Sequence, residues 1–539
     1  MDRNRTPLSG RGAALLALPP LIFVGLFFVW PVANILALGI APDGVLGVGA
    51  LVDAWTEPFV SDVVLFTLGL ALVSTLLTLL LGLPPAWVFA RFDFPFRSTT
   101  RALTVVPFVL PTVVVGSAFL ALGVSGSVVA ILVAHVFYNV AVVIRLVGGM
   151  WAHIDPRAEE AARMLGASGA RVFREVTWPL LRPAVISAAS IVFLFTATSF
   201  GVVLLLGGPR DVTLEVEIYR QTAILLDLPT AAALVVIQLV GVFALLLFSA
   251  RSQERLAVSQ RLRPASETVR RPRRGRERHV VMLILGVTGV ALLTPLLMLV
   301  ARSLSGPSGL GLDAYGRLFS HDRTTRLAEA PIGAVVDSLV FAVATVLLAV
   351  SLGLLAAIAV GYRRGWLPRA FDAVVMLPLG TSAVIVGFGF LVSLDTPPLD
   401  LRTSILLIPI AHTLIALPFV LRAIVPVARA IDPRVREAAA VLGATPRRAW
   451  REVDGPMLAR GALVGAGFAF AVSLGEFGAT LFIARADTLT IPLAIFRLLG
   501  QPGSANFSLA MALATLLMAL TATAVIAIER FRGRGSEAF

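Results

Sequence analysis

The sequence contains no cysteine and no lysine, and only 14% of its 539 residues are charged. Without cysteine there is no disulfide, no thiol nucleophile and no cysteine metal site. Without lysine there is no ordinary phosphate-gripping P-loop, because the GxxxxGK[ST] pattern needs that ammonium. Any ATPase that works with this chain therefore has to be another polypeptide. The charged fraction lies well below the roughly 25% of soluble domains, while 58% of residues are hydrophobic. No soluble core hides that much apolar side chain, so the solvent is largely lipid. The five histidines show no metal-ligand spacing, and no clustered acid, base and nucleophile marks an enzyme. The formal charge of +13 does not point to nucleic acid. The arginines sit in short loops between apolar runs, where positive charge orients a membrane protein.

What is present is a series of apolar runs, and about 20 residues of helix cross the hydrocarbon. Spans are predicted near 13–40, 63–90, 99–122, 126–150, 183–206 and 229–250, then near 280–304, 334–361, 367–394, 403–428, 461–484 and 505–528. The expected fold is all-α, a polytopic membrane protein of about 12 transmembrane helices. The first run follows Arg3, Arg5 and Arg11 and is too long for a signal-peptide core, so it is read as a retained anchor. Basic loops follow spans 2 (Arg91, Arg97, Arg101) and 8 (Arg363, Arg364, Arg369), and Arg530, Arg532 and Arg534 make the tail basic. The 41–62 loop carries Asp43, Asp53, Glu57 and Asp62 and no arginine. The positive-inside rule then puts both termini and the 251–279 linker in the cytoplasm, in an inner cell membrane. That linker, with Arg270, Arg271, Arg273, Arg274, Arg276 and Arg278, reads as a solvated connector that touches anionic lipid head groups.

The chain repeats itself. Ile154-Asp-Pro-Arg returns as Ile431-Asp-Pro-Arg, 277 residues on. The same offset pairs Ala134-His135 with Ala411-His412, Gly166 with Gly443, Pro179 with Pro456, Phe200-Gly201 with Phe477-Gly478, and Thr213 with Thr490. Two six-span halves follow, 1–250 (core about 60–250) and 280–539 (core about 334–528), entering the bilayer with the same polarity. A pseudo-two-fold axis along the membrane normal, with a pathway between the halves, is a symmetry some secondary transporters share. The repeat alone therefore leaves an ion-driven transporter open.

The repeated loops, Ile154–Arg182 and Ile431–Arg460, decide. Asp155 is an N-cap with Pro156 at the first helical position. Glu159 and Glu160 sit where the helix dipole favours them, Ala161, Ala162 and Leu165 continue the helix, and Gly166 ends it. Asp432, Pro433, Glu437, Ala438, Ala439 and Gly443 repeat the scheme. A small polar helix–turn–helix is either a capped connector or a docking element; two copies in equivalent loops suit a pair of identical partners.

These loops resemble the EAA motif of binding-protein-dependent ABC importer permeases. Glu160-Ala161-Ala162 leads to Gly166 and Trp178-Pro179, and Glu437-Ala438-Ala439 to Gly443 and Gly455-Pro456. The fused double length is similar to the thiamine-type and ferric-ion-type permeases. Residues 132–146, 205–221 and 473–481 resemble the thiamine type, although the last, SLGEFGATL, is shared across substrates. The resemblance implies a type I importer fold and two copies of a cytoplasmic ABC ATPase docked on these loops, which transmit its ATP-driven closure to the spans. It also implies an extracytoplasmic solute-binding protein and no cofactor held by this chain. Thiamine or its phosphate is the favoured cargo, ferric ion the alternative.

Ionisable groups within spans are costly and face a cavity or a partner. Glu476 in span 11, whose counterpart is Ser199, has two readings: a carboxylate lining the pathway, or a structural hydrogen-bonding group. Tyr138, Asn139 and Ser473 are the other pathway candidates, and His135 and His412 read as packing groups. Glu215, Glu217 and Tyr219 lie near an outer loop, to shape a mouth, meet the binding protein or be solvated. Pro107 and Gly116, matched by Pro378 and Gly387, fall inside spans 3 and 9 as kinks or as packing.

Overall fold

The computed structural model describes residues 10–41, 57–256, 268–306, 309–321, 325–361, 365–395, 399–485 and 488–536. Arg3, Arg5, Asp43, Asp53, Arg363 and Arg364, and residues 257–267 of the linker, lie outside the described residues, as do the side chains of Arg11, Arg530, Arg532 and Arg534. Among the described residues the chain is almost wholly helical. The exceptions are a two-residue strand pair, Ser305–Gly306 with Gly309–Leu310, and one bridge, Phe92 with Arg270.

Among the described residues, ten helices are long and apolar enough to cross a membrane. Spans 3 and 9, where Pro107 with Gly116 and Pro378 with Gly387 were read as kinks or as packing, are sharply bent pairs of helices. Arg97–Val109 and Thr112–Ala121 meet at 100°, and Trp366–Gly380 and Ala383–Ser393 at 97°. Counting each bent pair once gives twelve. The break in span 3 comes at Leu110-Pro111, not at Pro107. A residue before proline is driven out of the helical region, and Leu110 has ψ 142°. In span 9 the break falls at Thr381-Ser382, where the Ser382 hydroxyl accepts the amide of Ile385 at 3.2 Å. Span 5 also breaks: Trp178–Ala197 ends before a short Gly201–Leu206 helix. Span 11 repeats this, Gly455–Gly475 preceding Gly478–Ile483.

The chain divides into two compact units, each with the same three-helix centre. One unit holds residues 52–218 and 237–302, the other residues 1–51, 219–236 and 303–539. In the first, Pro58–Arg91, Val128–His153 and Trp178–Ala197 pack together; in the second, Pro331–Gly361, Leu407–Ala430 and Gly455–Gly475 do so. Lipid gives no hydrophobic drive for helices to associate, so close backbone approach at small residues supplies the packing. A Cβ on Gly82 would lie 2.8 Å from Val143, and one on Gly353 would lie 2.6 Å from Val420. These are the same contact in the two copies.

The units do not follow the sequence halves at their first helices. Gly10–Ile40 belongs to the unit of the second core, where Asn34 Nδ2 donates to Ser393 Oγ at 3.0 Å. Arg276–Arg302 belongs to the unit of the first core, where Arg302 Nε donates to the Ala121 carbonyl at 3.2 Å. Each of these first helices precedes its repeated core in sequence and packs with the other copy's core.

Other details recur. The Leu214 amide donates to Thr67 Oγ1 at 2.9 Å and the Ile491 amide to Ser338 Oγ at 2.8 Å. Gly116 lies against Leu205 and Gly387 against Phe482, so both glycines serve packing of the half-helices. Glu215 and Glu217 are fully buried, and Gln238 Nε2 donates to Glu215 Oε1. Burial overturns the solvated reading of these carboxylates: the helix that carries them folds back into its unit rather than out to water.

Gly353→Val, which forces a branched side chain into Val420, is expected to cost about 1–3 kcal/mol, read as a lowered melting temperature of the detergent-purified protein. An unchanged melting temperature would contradict the tight crossing.

Candidate functional site

The two repeated loops are built alike from their caps outward. Asp155 accepts the amide of Arg157 at 3.0 Å and opens the Pro156–Met164 helix; Asp432 accepts that of Arg434 at 2.9 Å and opens Pro433–Val441. Gly166 and Gly443 both stand at φ 83°, the left-handed turn that glycine enters without a Cβ penalty. The next amides close back, Ala167 to the Ala162 carbonyl at 3.1 Å and Ala444 to that of Ala439 at 2.9 Å. A second cap follows, from Ser168 in one loop and Thr445 in the other. Each loop then enters its span through a wide π-turn, Phe173–Thr177 and Trp450–Asp454. Pro179 and Pro456, which lack an amide donor, follow directly.

No residue of either short helix is buried. At the tips, Met164 and Leu165 are each 89% exposed, and Val441 and Leu442 are 87% and 88% exposed. Glu160, Ala161, Glu437 and Ala438 are exposed, and Ala162 and Ala439 half-buried. The predicted docking residues thus stand on two matching protrusions, each ending in large apolar side chains.

What ties each protrusion to its span was not foreseen. In the first, Glu159 accepts from Arg91 at 2.6 Å and from Thr177 Oγ1 at 3.0 Å. Arg91, buried at the end of Pro58–Arg91, also donates to the Ile154 carbonyl at 3.1 Å. In the second, Arg436 donates through Nε to the buried Asp454 at 3.0 Å. Arg436 occupies the place of Glu159, and Asp454 that of Thr177. The tether is kept while its charges are exchanged. Reading both copies at the 277-residue offset reveals this swap, because an acid faces a base at one position and a hydroxyl faces an acid at the other.

The pathway candidates fall into separate groups. Glu476 is not inside a continuous helix, as expected from its run, but in the break between Gly455–Gly475 and Gly478–Ile483. Its carboxylate accepts the Ala479 amide at 2.8 Å and the Thr480 amide at 3.0 Å, and the Thr480 hydroxyl. His412 Nε2 stands 3.3 Å away. His412 Nδ1 bonds Ser473 Oγ at 2.8 Å, and Ser473 reaches Thr345 at 3.3 Å. Glu476 and Ser473 therefore share one buried network, and its contacts cap the half-helix from inside the protein. The other unit lacks this set. There His135 Nδ1 meets Ser74 at 3.0 Å, and Asn139 Nδ2 donates to the His135 carbonyl at 3.0 Å. Ser199 is buried, and Tyr138 packs its ring on Phe108 at 5.6 Å. His135 Nε2 and Asn139 Oδ1 are buried without a hydrogen-bond partner. The positions facing His412 as Glu476 and Thr480 are Ser199 and Val203 in this copy.

Paired broken spans and paired exposed loop helices on a repeated three-helix core are the architecture of a polytopic membrane protein built twice over. Residues 78–258 and 326–532 each match the family described as binding-protein-dependent transport system inner membrane component. The chain belongs to this family, as a fused, double-length permease of an ABC importer in which the family unit occurs twice. It is 28% identical over 510 residues, 88% of either chain, to a thiamine transport system permease protein of Brucella abortus (strain 2308). It is 25% identical to the protein of that description from Salmonella typhimurium, over 96% of this chain and 97% of that one. A sulfate transport system permease protein of Salmonella typhimurium is 34% identical over 29% of this chain and 62% of its own. Among solved structures, a bacterial ABC transporter involved in import of the acidic polysaccharide alginate gives a TM-score of 0.36 at 15% identity, covering 46% of this chain and 96% of that one.

Two outcomes test the site. Arg436→Ala removes a charge-assisted donor to the buried Asp454 carboxylate and is expected to cost about 1.5–3 kcal/mol, whereas Arg163→Ala, at a pair with Glu159 whose arginine is exposed, should cost under about 1 kcal/mol. Thermal unfolding of the two variants separates them, and equal losses would refute the tether. Glu476→Ala removes the acceptor of two amides and should lower stability by about 1–3 kcal/mol while leaving the KM of uptake unchanged. A raised KM at normal stability would instead assign the carboxylate to the substrate.

Proposed function

We propose that the chain imports thiamine or a thiamine phosphate, driven by two copies of a cytoplasmic ABC ATPase docked on Glu160–Gly166 and Glu437–Gly443. Both protrusions and both termini then face the cytoplasm, and an extracytoplasmic solute-binding protein delivers cargo to the opposite face. ATP is bound and hydrolysed by the partner, and this chain needs no cofactor. The carrying observation is the pair of matched loop helices with no buried residue and with apolar tips exposed at Met164-Leu165 and Val441-Leu442. Large apolar side chains presented this way mark an interaction surface, and their duplication fits a partner that arrives twice. The backbones are equivalent while the tethers differ in charge, so identical partners meet like surfaces.

The cycle follows from differential contact. ATP binding closes the ATPase pair, which holds the two protrusions in a new relation. Each protrusion is braced to its own core, by Arg91–Glu159–Thr177 in one and by Arg436–Asp454 in the other. A displacement of the loop helix is thereby carried into a span, and each access state is stabilised by the contacts it alone makes. The thiamine-type cargo is supported by the permeases that match this chain along nearly its whole length.

The test is uptake in proteoliposomes holding this chain and its ATPase. Leu165→Asp with Leu442→Asp changes only exposed tips, so insertion should be normal while ATP-dependent uptake falls to background. Full uptake by this variant, or uptake without any ATPase, would refute docking and favour an ion-driven transporter. For cargo, labelled thiamine should enter in the presence of the binding protein and ferric ion should not; the reverse would overturn the thiamine assignment.

A further inference from the structure

The Arg97–Val109 helix is strongly two-faced, and beside it a shallow, open apolar groove lies against the Arg276–Ser303 helix. Phe89, Leu103, Pro107, Leu285, Leu292 and Leu296 line it, with Thr100 at the end nearest the arginines. Nothing in this unit fills the groove.

Its mouth is basic. Arg97 lies one turn before Thr100, donates to the carbonyl of the groove residue Phe89 at 2.7 Å, and keeps a buried Nε with no hydrogen-bond partner. Arg101 is exposed on the next turn. Across the groove, Arg278 is exposed two turns before Leu285 on the same stripe, about 10 Å along the axis. Arg271, Arg273, Arg274 and Arg276 are exposed on the adjoining segment. That segment is fixed to the same unit: the Asp93 amide donates to the Arg270 carbonyl at 2.9 Å, and Arg270 stacks over Phe92 at 4.9 Å. The nearby acids do not cancel this charge. Glu277 is held by Arg270 at 2.5 Å and by the Arg273 amide at 2.6 Å, leaving the exposed Asp93. No side chain caps the start of the Arg97–Val109 helix, whose positive dipole end adds to the attraction for an anion.

A cationic rim one head-group depth from an apolar slot between helices is complementary to one molecule of the bilayer. We propose that this groove binds an anionic phospholipid, its phosphate between Arg97, Arg101 and Arg278 and one acyl chain along Leu103, Pro107, Leu285 and Leu292. A neutral lipid fills the slot without meeting the rim, and free phosphate meets the rim without filling the slot. A lipid so placed touches both the bent span of the first core and the linker's end, and stiffens their junction.

The test reads lipid retention, not transport, so it stands or falls apart from docking and cargo. The purified full chain is titrated with phosphatidylglycerol or phosphatidylcholine and examined by native mass spectrometry. Phosphatidylglycerol should be retained in preference, and Arg97→Gln with Arg101→Gln and Arg278→Gln should erode that preference by roughly fivefold per arginine. Removing three exposed arginines elsewhere, Arg429→Gln, Arg434→Gln and Arg447→Gln, should leave it intact. Equal retention of the two lipids by the unmodified chain, an unchanged preference in the rim variant, or displacement by inorganic phosphate alone would overturn the proposal. A second measurement does not depend on the rim variant folding. A fluorophore on Thr288→Cys, in a chain with no other thiol, should be quenched more by brominated phosphatidylglycerol than by brominated phosphatidylcholine. Equal quenching would refute the site.

Discussion

A backbone amide inside a bilayer has no water to bond, and leaving it unpaired costs several kcal/mol. This constraint governs where the permease can break its helices. It breaks them at Leu110-Pro111, at Thr198–Phe200, at Thr381-Ser382 and at Glu476-Phe477. Three of these breaks show how the cost is lowered. Pro111 brings no amide to satisfy. Ser382 supplies a hydroxyl to the Ile385 amide. Glu476 supplies a carboxylate to two amides at once, and a carboxylate in such a setting needs support of its own, which His412 and Thr480 give. The buried glutamate that looks from sequence like a cargo-binding group is thus explained first by the backbone it completes. The carboxylate is tolerated at that depth because the Gly478–Ile483 and Leu407–Ala430 helices both turn polar groups toward it.

Much of this was legible in the sequence. The spans, the two-fold repeat and the loop helices rest on long apolar runs, on a fixed offset and on cap residues at fixed spacing. Those signals are local, and the structure places the caps at Asp155 and Asp432 and the glycine turns at Gly166 and Gly443 where they are read. The bends were harder. Hydropathy sums the residues on both sides of a break, so spans 3 and 9 each read as one run, with kink and packing left open at their prolines and glycines. Pro107 drew attention although Pro111 sets the break, because a proline ten residues into a helix and one at its edge look alike without the turn. Packing of each first helix with the other copy's core was illegible, since nothing in an apolar run names its neighbour. The burial of Glu215 escaped for the same reason: Gln238 is far along the chain.

The two copies keep their scaffold and vary their wiring. Gly82 and Gly353 seat the same crossing, and Thr67 and Ser338 take the same amide. Ser199 against Glu476, Val203 against Thr480, Glu159 against Arg436 and Thr177 against Asp454 are all exchanges of polarity at matched places. Steric positions tolerate little, because a misplaced methyl group at a close helix crossing has nowhere to go. Polar positions tolerate exchange if the partner changes with them, as the two tethers show. Within one chain the two copies are free to diverge in their polar wiring, while the close helix crossings and the loop caps and turns keep the same geometry.

That division locates function within the fold. The copies coincide in the caps, the glycine turns and the exposed tips, all of them at the surface. They differ in the buried polar sets around His135 and His412. His412 has both ring nitrogens engaged, while His135 leaves Nε2 buried and unpartnered. A fully paired network rigidifies its surroundings and a partly paired one does not. The half-helix after Glu476 is bonded at its start by the Glu476 carboxylate, which also faces His412 of the Leu407–Ala430 helix, whereas Ser199 and Val203, the matching places in the other copy, bring no carboxylate to His135.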